Sequence, residues 1–321
     1  MSDPRDELRP LVAGTVRSEE GAVVVELGTA EARVAGDVAL VQAVLGACDG
    51  QSSVAEIAAV HGEAARELIA LLVAEGAVVP AEHAWRVLHR QSSVGSALGR
   101  PIGDAELAEL TRGAFAPATA ARRVLVPPPA PSGIARLAGR RRSTVPADPP
   151  RPATLADLVA ILTAAYGVPP GDGAPRSGTV PSAGALYPLA LHVLLREPAG
   201  EAEPGLWWSD PASGALHRVG EAPDDVLDLF VAEPALAVLL AADGPIVFVS
   251  ADLARPSRKY GARGYRYALL EAGAAMQNAH LAATERDLPL RAIGGIADGA
   301  VHRLLDLPDT GVALLALLVG R

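Results

Sequence analysis

The spacing of apolar residues changes character along the chain, and each change marks a different kind of element. Residues 22–34, AVVVELGTAEARV, are rich in β-branched side chains and predict a strand or hairpin. Over 37–47 the apolar residues Val38, Val41, Val44 and Leu45 recur at helical spacing. Ser53 at the head of SVAEIAAV, with Glu56 three residues on, has the spacing of a capping box. EAARELIALLVAE (63–75) is amphipathic up to Gly76, and AVVP follows as a short strand. Small β elements, three helices and a final strand predict a winged-helix-like unit over residues 1–95. Periodicity then fades. AFAPATAARR, VPPPAPSG and ADPP, within 96–150, read as an extended connector, assigned to 96–134, that leads into a second domain over 135–321.

The second domain reads as α+β. Thr154 with Asp157 forms another capping-box signal ahead of LADLVAILTAAY, and Gly167 is its stop. LALHVLL (189–195), PIVFVSA (245–251) and the final VALLALLVG are apolar runs of strand length, and GLWWSDPASGALHRV is a hairpin that Trp207 and Trp208 pack. A long helix is predicted from about Tyr265 to Arg286. Ala268, Ala272, Ala275, Ala279 and Ala282 recur along it at helical spacing, a small-residue stripe that admits a second helix at close range, at the centre of a domain or of a dimer.

Composition narrows the classes. The chain has 321 residues, 50% hydrophobic, enough for one or two globular domains with a sizeable core. Cys48 is the lone cysteine, so no intramolecular disulfide is expected, and no Cys/His cluster has metal-ligand spacing. MSDPRDELRP lacks the apolar run of a secretory signal, and no apolar stretch is of membrane-spanning length, so a cytoplasmic protein without a membrane partner is expected. Residues 1–80 carry five Arg against thirteen Asp and Glu, a net of −8, which opposes a nucleic-acid backbone. The winged-helix-like unit is therefore expected either to dock a peptide at its sheet edge or to serve as a lid on the second domain.

Four stretches hold the candidate chemistry. PSAGALYP (181–188) predicts a tight turn that lets a flat ligand approach the main chain. GRRRST holds Arg140, Arg141, Arg142 and Ser143, a guanidinium cluster with a hydroxyl that suits a phosphate. AIGGI (292–296), placed after a helix, is a second glycine turn. RKYGARGYRY (258–267) contains Lys259, the only lysine among 28 basic residues. Neither GxGxxG nor GxxxxGK[ST] occurs, so neither a dinucleotide fold nor a nucleoside triphosphate site is indicated.

GRRRS, PSAGALYP, KYGARGYRYALLEAG, MQNAHLAA and IGGI, in this order over roughly 135–321, resemble the flavin-dependent dehydrogenases of the nitroreductase superfamily. The subgroup most similar is the SagB-type azoline dehydrogenases of ribosomal peptide natural-product pathways. The resemblance implies an FMN-binding α+β fold with a central mixed or antiparallel sheet and a long core helix. It also implies a homodimer with a flavin site at each subunit interface. Arg141, Arg142 and Ser143 match the element that holds the FMN phosphate; Pro181, Ser182, Ala183 and Gly184 match the turn against the flavin ring. Gly294 and Gly295 match the late glycine turn near the cofactor, and Lys259 and Tyr260 match the pair to which the catalytic role is assigned. Val145 stands where a further arginine is usual, leaving Arg176 or Arg321 to share the phosphate, and Ala274 replaces a common histidine.

This context gives the lone lysine a task. Aromatising a thiazoline or oxazoline removes a hydride, which a flavin accepts, and a proton, which a protein group must take. An ordinary lysine, with a pKa of about 10.4, is a poor base near neutrality. A dry pocket among Arg258, Arg263 and Arg266 would favour its neutral form, and arginine could not substitute for it. Tyr260 would orient the ring or relay the proton, and Glu271 would pair with Arg263 or Arg266. His280 is expected as an interior residue, Gln277 and Asn278 as structural, and Tyr187 as either pocket wall or turn anchor. The reading is an FMN-dependent azoline dehydrogenase acting on a precursor peptide, with a cyclodehydratase as possible partner. Its rivals are an NAD(P)H-dependent nitroreductase-like enzyme for small molecules and a non-catalytic peptide-binding scaffold of the same fold.

Overall fold

Local signals set most of the helix starts. Ser53 accepts from the Glu56 N–H while Glu56 caps Ser53 in return, and Thr154 and Asp157 repeat the arrangement at the start of a later helix. The structure, a computed structural model, describes residues 4–27, 31–92, 105, 133–143, 152–167, 177–231, 240 and 244–320. The N-terminal unit comprises β1 (Pro10–Val12), a meander of β2 (Thr15–Glu19), β3 (Ala22–Glu26) and β4 (Glu31–Ala35), helices α1 (Val38–Ala47), α2 (Val54–His61) and α3 (Glu63–Ala74), and β5 (Val78–Pro80), which pairs with β1. Its core is built on Val23, Val25, Val44, Ile57, Ile69 and Leu72. Cys48 lies in that core, where burial first and Asp49 second push its thiol up to about 12, so it stays protonated.

Helix α4 (Trp85–Ser92) joins this unit to the second domain. Trp85, 2% exposed, belongs to the second domain's core and stacks on Tyr265 with ring centroids 6.1 Å apart. His89 Nδ1 lies 3.1 Å from the Tyr265 hydroxyl, and Arg86 donates to the Asp309 carbonyl at 3.1 Å. Helix α5 (Gly133–Arg140) starts at the end of the expected connector and lies mostly within the second domain; most of the connector lies outside the described residues.

The second domain is a six-stranded sheet in the order β10-β11-β9-β6-β7-β8, formed by β6 (Leu189–Leu195), β7 (Gly205–Ser209), β8 (Leu216–Gly220), β9 (Ile246–Asp252), β10 (Leu290–Ile293) and β11 (Gly311–Val319). Every neighbouring pair is antiparallel, which resolves the expected mixed or antiparallel sheet. On one face lie α6 (Leu155–Tyr166) and the long α8 (Arg263–Glu285). On the other lie α9 (Asp298–Leu304) and the segment around Leu229 and Phe230. Burial on both faces explains why β6 and β9 are continuous apolar runs rather than alternating ones. The alanine stripe of α8 is buried, and α6 packs against α8. Ala274 is half-buried at the rim of the same core.

His192 on β6, opposite Trp208 and Phe248, is 9% exposed, and burial pushes its imidazole down to about 4. A depressed folded-state pKa gives stability that is complete above pH 6.5 and is lost as pH falls towards 4. About 2 kcal/mol of it should be gone by pH 5. Urea unfolding at pH 7 and pH 5 checks this, and His192→Leu should flatten most of the difference. His280, also pushed down by burial and then by Arg141, adds in the same direction.

Candidate functional site

Lys259 and Tyr260 close a short helix, α7 (Ala254–Tyr260), that follows directly from β9. The Asp252 carboxylate at the strand end accepts from the Ala254 N–H at 3.0 Å and from the Thr310 hydroxyl at 2.6 Å, fixing the exit of the chain. Helix α8 begins three residues after Tyr260. A β-carbon on Gly264 would lie 2.6 Å from the Pro256 backbone, so the glycine of RGYR is what lets α7 and α8 cross this closely. The Tyr260 ring is held edge-on by Tyr267, with centroids 5.1 Å apart, and the Lys259 ammonium lies 5.2 Å from the Tyr260 ring centroid.

The PSAGALYP turn is packed against this pair. Gly184 has φ of +62°, and a β-carbon there would lie 2.5 Å from both Lys259 Nζ and the Tyr260 hydroxyl. Ala185 and Tyr187 also have positive φ, of 53° and 45°, which non-glycine residues adopt only when their surroundings impose it. Tyr187 supplies the constraint. Its hydroxyl accepts from the Gly178 N–H at 2.6 Å and its N–H donates to Ser182 Oγ at 2.8 Å, so Tyr187 anchors the turn. Asn278 on α8 donates to the Thr179 carbonyl at 3.0 Å, in keeping with its expected structural role.

Two expectations about charge need correction. Lys259, Arg258, Arg263 and Arg266 are all exposed on the outer faces of α7 and α8, so this chain's described residues do not enclose Lys259 in a dry pocket. Glu271 does not pair with Arg263 or Arg266. It is 3% exposed, on the inner face of α8, where the Tyr166 hydroxyl donates to it at 2.7 Å. The carboxyl was detectable in principle, because position 271 falls within the buried alanine stripe. Helix α7 was missed for another reason: ARPSRKY is seven residues long with a proline in its first turn and has no apolar period.

Arg141, Arg142 and Ser143 follow α5. Arg141 Nη1 lies 3.3 Å from Ser143 Oγ, Arg142 donates to the carbonyls of Gly139 and Arg141, and Arg140 pairs with Asp287 at 2.6 Å. Arg141 is near enough to His280 to lower its pKa, so this element sits by the C-terminal half of α8. His280 is about 26 Å along the helix from Arg263 and roughly 200° around it from Asn278, which faces the turn. Within one chain the helix before the Arg-Ser element packs on α8, while the Gly184 turn lies against α7, which precedes the start of α8. Gly294 and Gly295 follow β10, not a helix as expected, and Gly295 accepts from the Val231 N–H at 3.0 Å. The sheet register puts them at the same end as the Gly184 turn and α7, since Leu189 pairs with Ala251, Asp252 with Gly311, and Ile293 with Ala316. A β-carbon on Gly294 would meet nothing within 4 Å, which leaves space for a flat ligand. Val145, Arg176 and Arg321 lie outside the described residues. A separate cleft of about 500 Å³, walled by Trp85, Arg86, His89, Asp298 and His302, contains none of the residues singled out in the sequence.

An antiparallel sheet with helices on both faces, two glycine turns at one end, and a lysine–tyrosine pair against one of them define an α+β domain with one candidate site. The chain belongs to the nitroreductase family, which residues 138–321 match. Proteins of this family generally use FMN, and the guanidinium–hydroxyl element and open Gly294 turn are of the right chemistry for its phosphate and ring. A relative from Methanocaldococcus jannaschii, named "putative nitroreductase", is 36% identical over 171 residues, 53% of this chain and 82% of the relative. The E. coli microcin synthetase McbBCD complex with truncated pro-MccB17 bound contains a chain of similar fold, with a TM-score of 0.50 and 20% identity, over 70% of this chain and 84% of that one. A "putative nitroreductase" structure from Anabaena variabilis aligns with a TM-score of 0.42 and 24% identity, over 51% of this chain and 34% of that one. No helix among the described residues is long and apolar enough to cross a membrane.

Proposed function

We propose that the protein is an FMN-dependent azoline dehydrogenase of the SagB type, oxidising thiazoline or oxazoline rings of a ribosomally made peptide to thiazoles or oxazoles. The observation that carries this reading is the contact of Gly184 with Lys259 Nζ and the Tyr260 hydroxyl, which joins two motifs far apart in sequence. Bound FMN would supply the hydride acceptor, with O2 as the terminal oxidant. Lys259 takes the proton from the adjacent ring carbon, and Tyr260, fixed by Tyr267, orients the ring. Arg141, Arg142 and Ser143 would hold the cofactor phosphate; Pro181, Ser182, Ala183, Gly184, Gly294 and Gly295 would line its ring.

No described contact joins the Arg-Ser element to the Gly184 turn within one chain, in keeping with a homodimer in which one protomer's phosphate element would serve the other's turn. Enclosure by a second protomer and by the peptide would also give Lys259 the dry surroundings that the single chain does not. The likeness in fold to a chain of a synthetase complex with a pro-peptide bound supports a peptide substrate and synthetase partners; a cyclodehydratase would be such a partner, with the acidic N-terminal unit as the docking module. The purified protein should show flavin absorption, release FMN on denaturation, and remove two hydrogens per azoline from a cyclised peptide in air. A colourless protein that fails to take up FMN would leave only the peptide-binding scaffold. The named nitroreductase relative favours a second reading, NAD(P)H-dependent reduction of small molecules. Fast flavin reduction by NAD(P)H without peptide would select it.

A further inference from the structure

We propose that Arg255 is a positioning residue for this site: by holding the Tyr187 carbonyl it sets the Gly184 turn against Lys259 and Tyr260. The role rests on the reading that these groups form the reacting site. The pairing of β6 with β9 runs as far as Leu189 and Ala251, and one step beyond, the Asp252 N–H donates to the Pro188 carbonyl at 2.9 Å. There the second chain segment turns into α7 and its backbone donors are directed elsewhere. The Leu253 N–H goes to the Thr310 carbonyl at 2.9 Å, and the Ala254 N–H to the Asp252 carboxylate at 3.0 Å. The next carbonyl of the turn, that of Tyr187, is met instead by a side chain: Arg255 Nη2 donates to it at 3.1 Å. A guanidinium, long and with several donors in a fixed fork, can do this from an exposed helix position.

The bond acts on the turn as a whole because residues 182–187 are closed on themselves. The Ser182 carbonyl accepts from the Ala185 N–H at 3.0 Å, and Ser182 Oγ accepts from the Tyr187 N–H at 2.8 Å. A loop bonded end to end moves as one piece, so the place where Tyr187 is held decides where Gly184 sits. Arg255 and Lys259 are four residues apart on α7, about 6 Å along its axis. One short helix therefore meets the turn twice, at the Tyr187 carbonyl from its first turn and at Gly184 from its last. The strands need no such contact, since their own pairing ends before Tyr187. What Arg255 adds is the spacing between the turn and the reacting pair.

Hydrogen–deuterium exchange of the full chain, read by mass spectrometry over the peptide spanning 178–187, tests the grip without any need for turnover. Arg255→Met, which removes the donor, should speed exchange there several-fold while leaving β6 and β9 unchanged. Arg255→Lys, which keeps one donor on a long side chain, should restore most of the protection. For azoline peptide, kcat of Arg255→Met should fall about 10- to 100-fold with little change in KM, because the turn is displaced while the substrate-binding surface remains. Arg255→Lys should recover most of that loss. Exchange over 178–187 unchanged in Arg255→Met overturns the proposal, as does faster exchange with the wild-type kcat. Faster exchange with no azoline turnover in any form, wild type included, upholds the grip and removes only the reaction. If Arg255→Met does not fold, Arg255→Gln, whose amide stops short of where the guanidinium nitrogens reach, decides in its place.

Discussion

Lys259→Met and Lys259→Arg are both expected to lower kcat for azoline oxidation by about 10²- to 10⁴-fold, the range for losing a positioned general base. The arginine variant is the sharper of the two. It keeps the positive charge and most of the length, so electrostatic steering of the substrate survives, but a guanidinium does not give up its proton near neutrality. Stability should hardly change. Lys259 is exposed, its ammonium lies over the Tyr260 ring, and no carboxylate among the described residues pairs with it. Substitution at such a position costs about 0.5 kcal/mol or less. Bound flavin, thermal midpoint and turnover measured on the same preparations separate loss of chemistry from loss of fold. Turnover retained by Lys259→Arg would show that Lys259 supplies charge and not a proton acceptor.

Gly184→Ala should come second in effect on activity while costing more in stability. The new β-carbon meets two side-chain ends, Lys259 Nζ and the Tyr260 hydroxyl, at 2.5 Å. Both belong to side chains that can swing aside, so the clash is relieved by moving the reacting groups rather than the backbone. A displacement of about 1 Å can cost 10²-fold in rate, and a similar loss of kcat is expected. The left-handed backbone at φ of +62° adds about 1–2 kcal/mol of strain for any residue with a β-carbon. That corresponds to a few degrees in thermal midpoint for a domain of this size. A Gly184→Ala variant with normal kcat would place the reacting atoms elsewhere than at this contact.

What the sequence disclosed was whatever is decided within a few residues. The two capping boxes are reciprocal contacts three positions apart, and the long strands are continuous apolar runs, so each could be read from its own segment. Strand β2 could not. TVRSE is half polar because its outer face is held by Arg17, which bonds Glu19 on its own strand and Glu26 and Glu31 across the meander. Strand order was also hidden, since β9 lies between β6 and β11 by pairings over long sequence separations. For the candidate site, residue types and motif order were visible while exposure was not. Lys259 was expected in a dry pocket and is exposed, whereas Glu271 was expected to pair with Arg263 or Arg266 and is instead buried, accepting from the Tyr166 hydroxyl.

The alanine seam between α6 and α8 has a mechanical consequence. Larger core side chains can absorb a small displacement by changing rotamer, but alanine has no χ angle with which to yield. Helices α6 and α8, packed together with buried alanines along α8 and bridged by the Tyr166–Glu271 bond, should therefore move as one stiff body. Helix α4, which joins the N-terminal unit to the second domain, meets the same body where Trp85 stacks on Tyr265. A displacement of α4 would be passed down α8 with little loss, as through a lever rather than a spring.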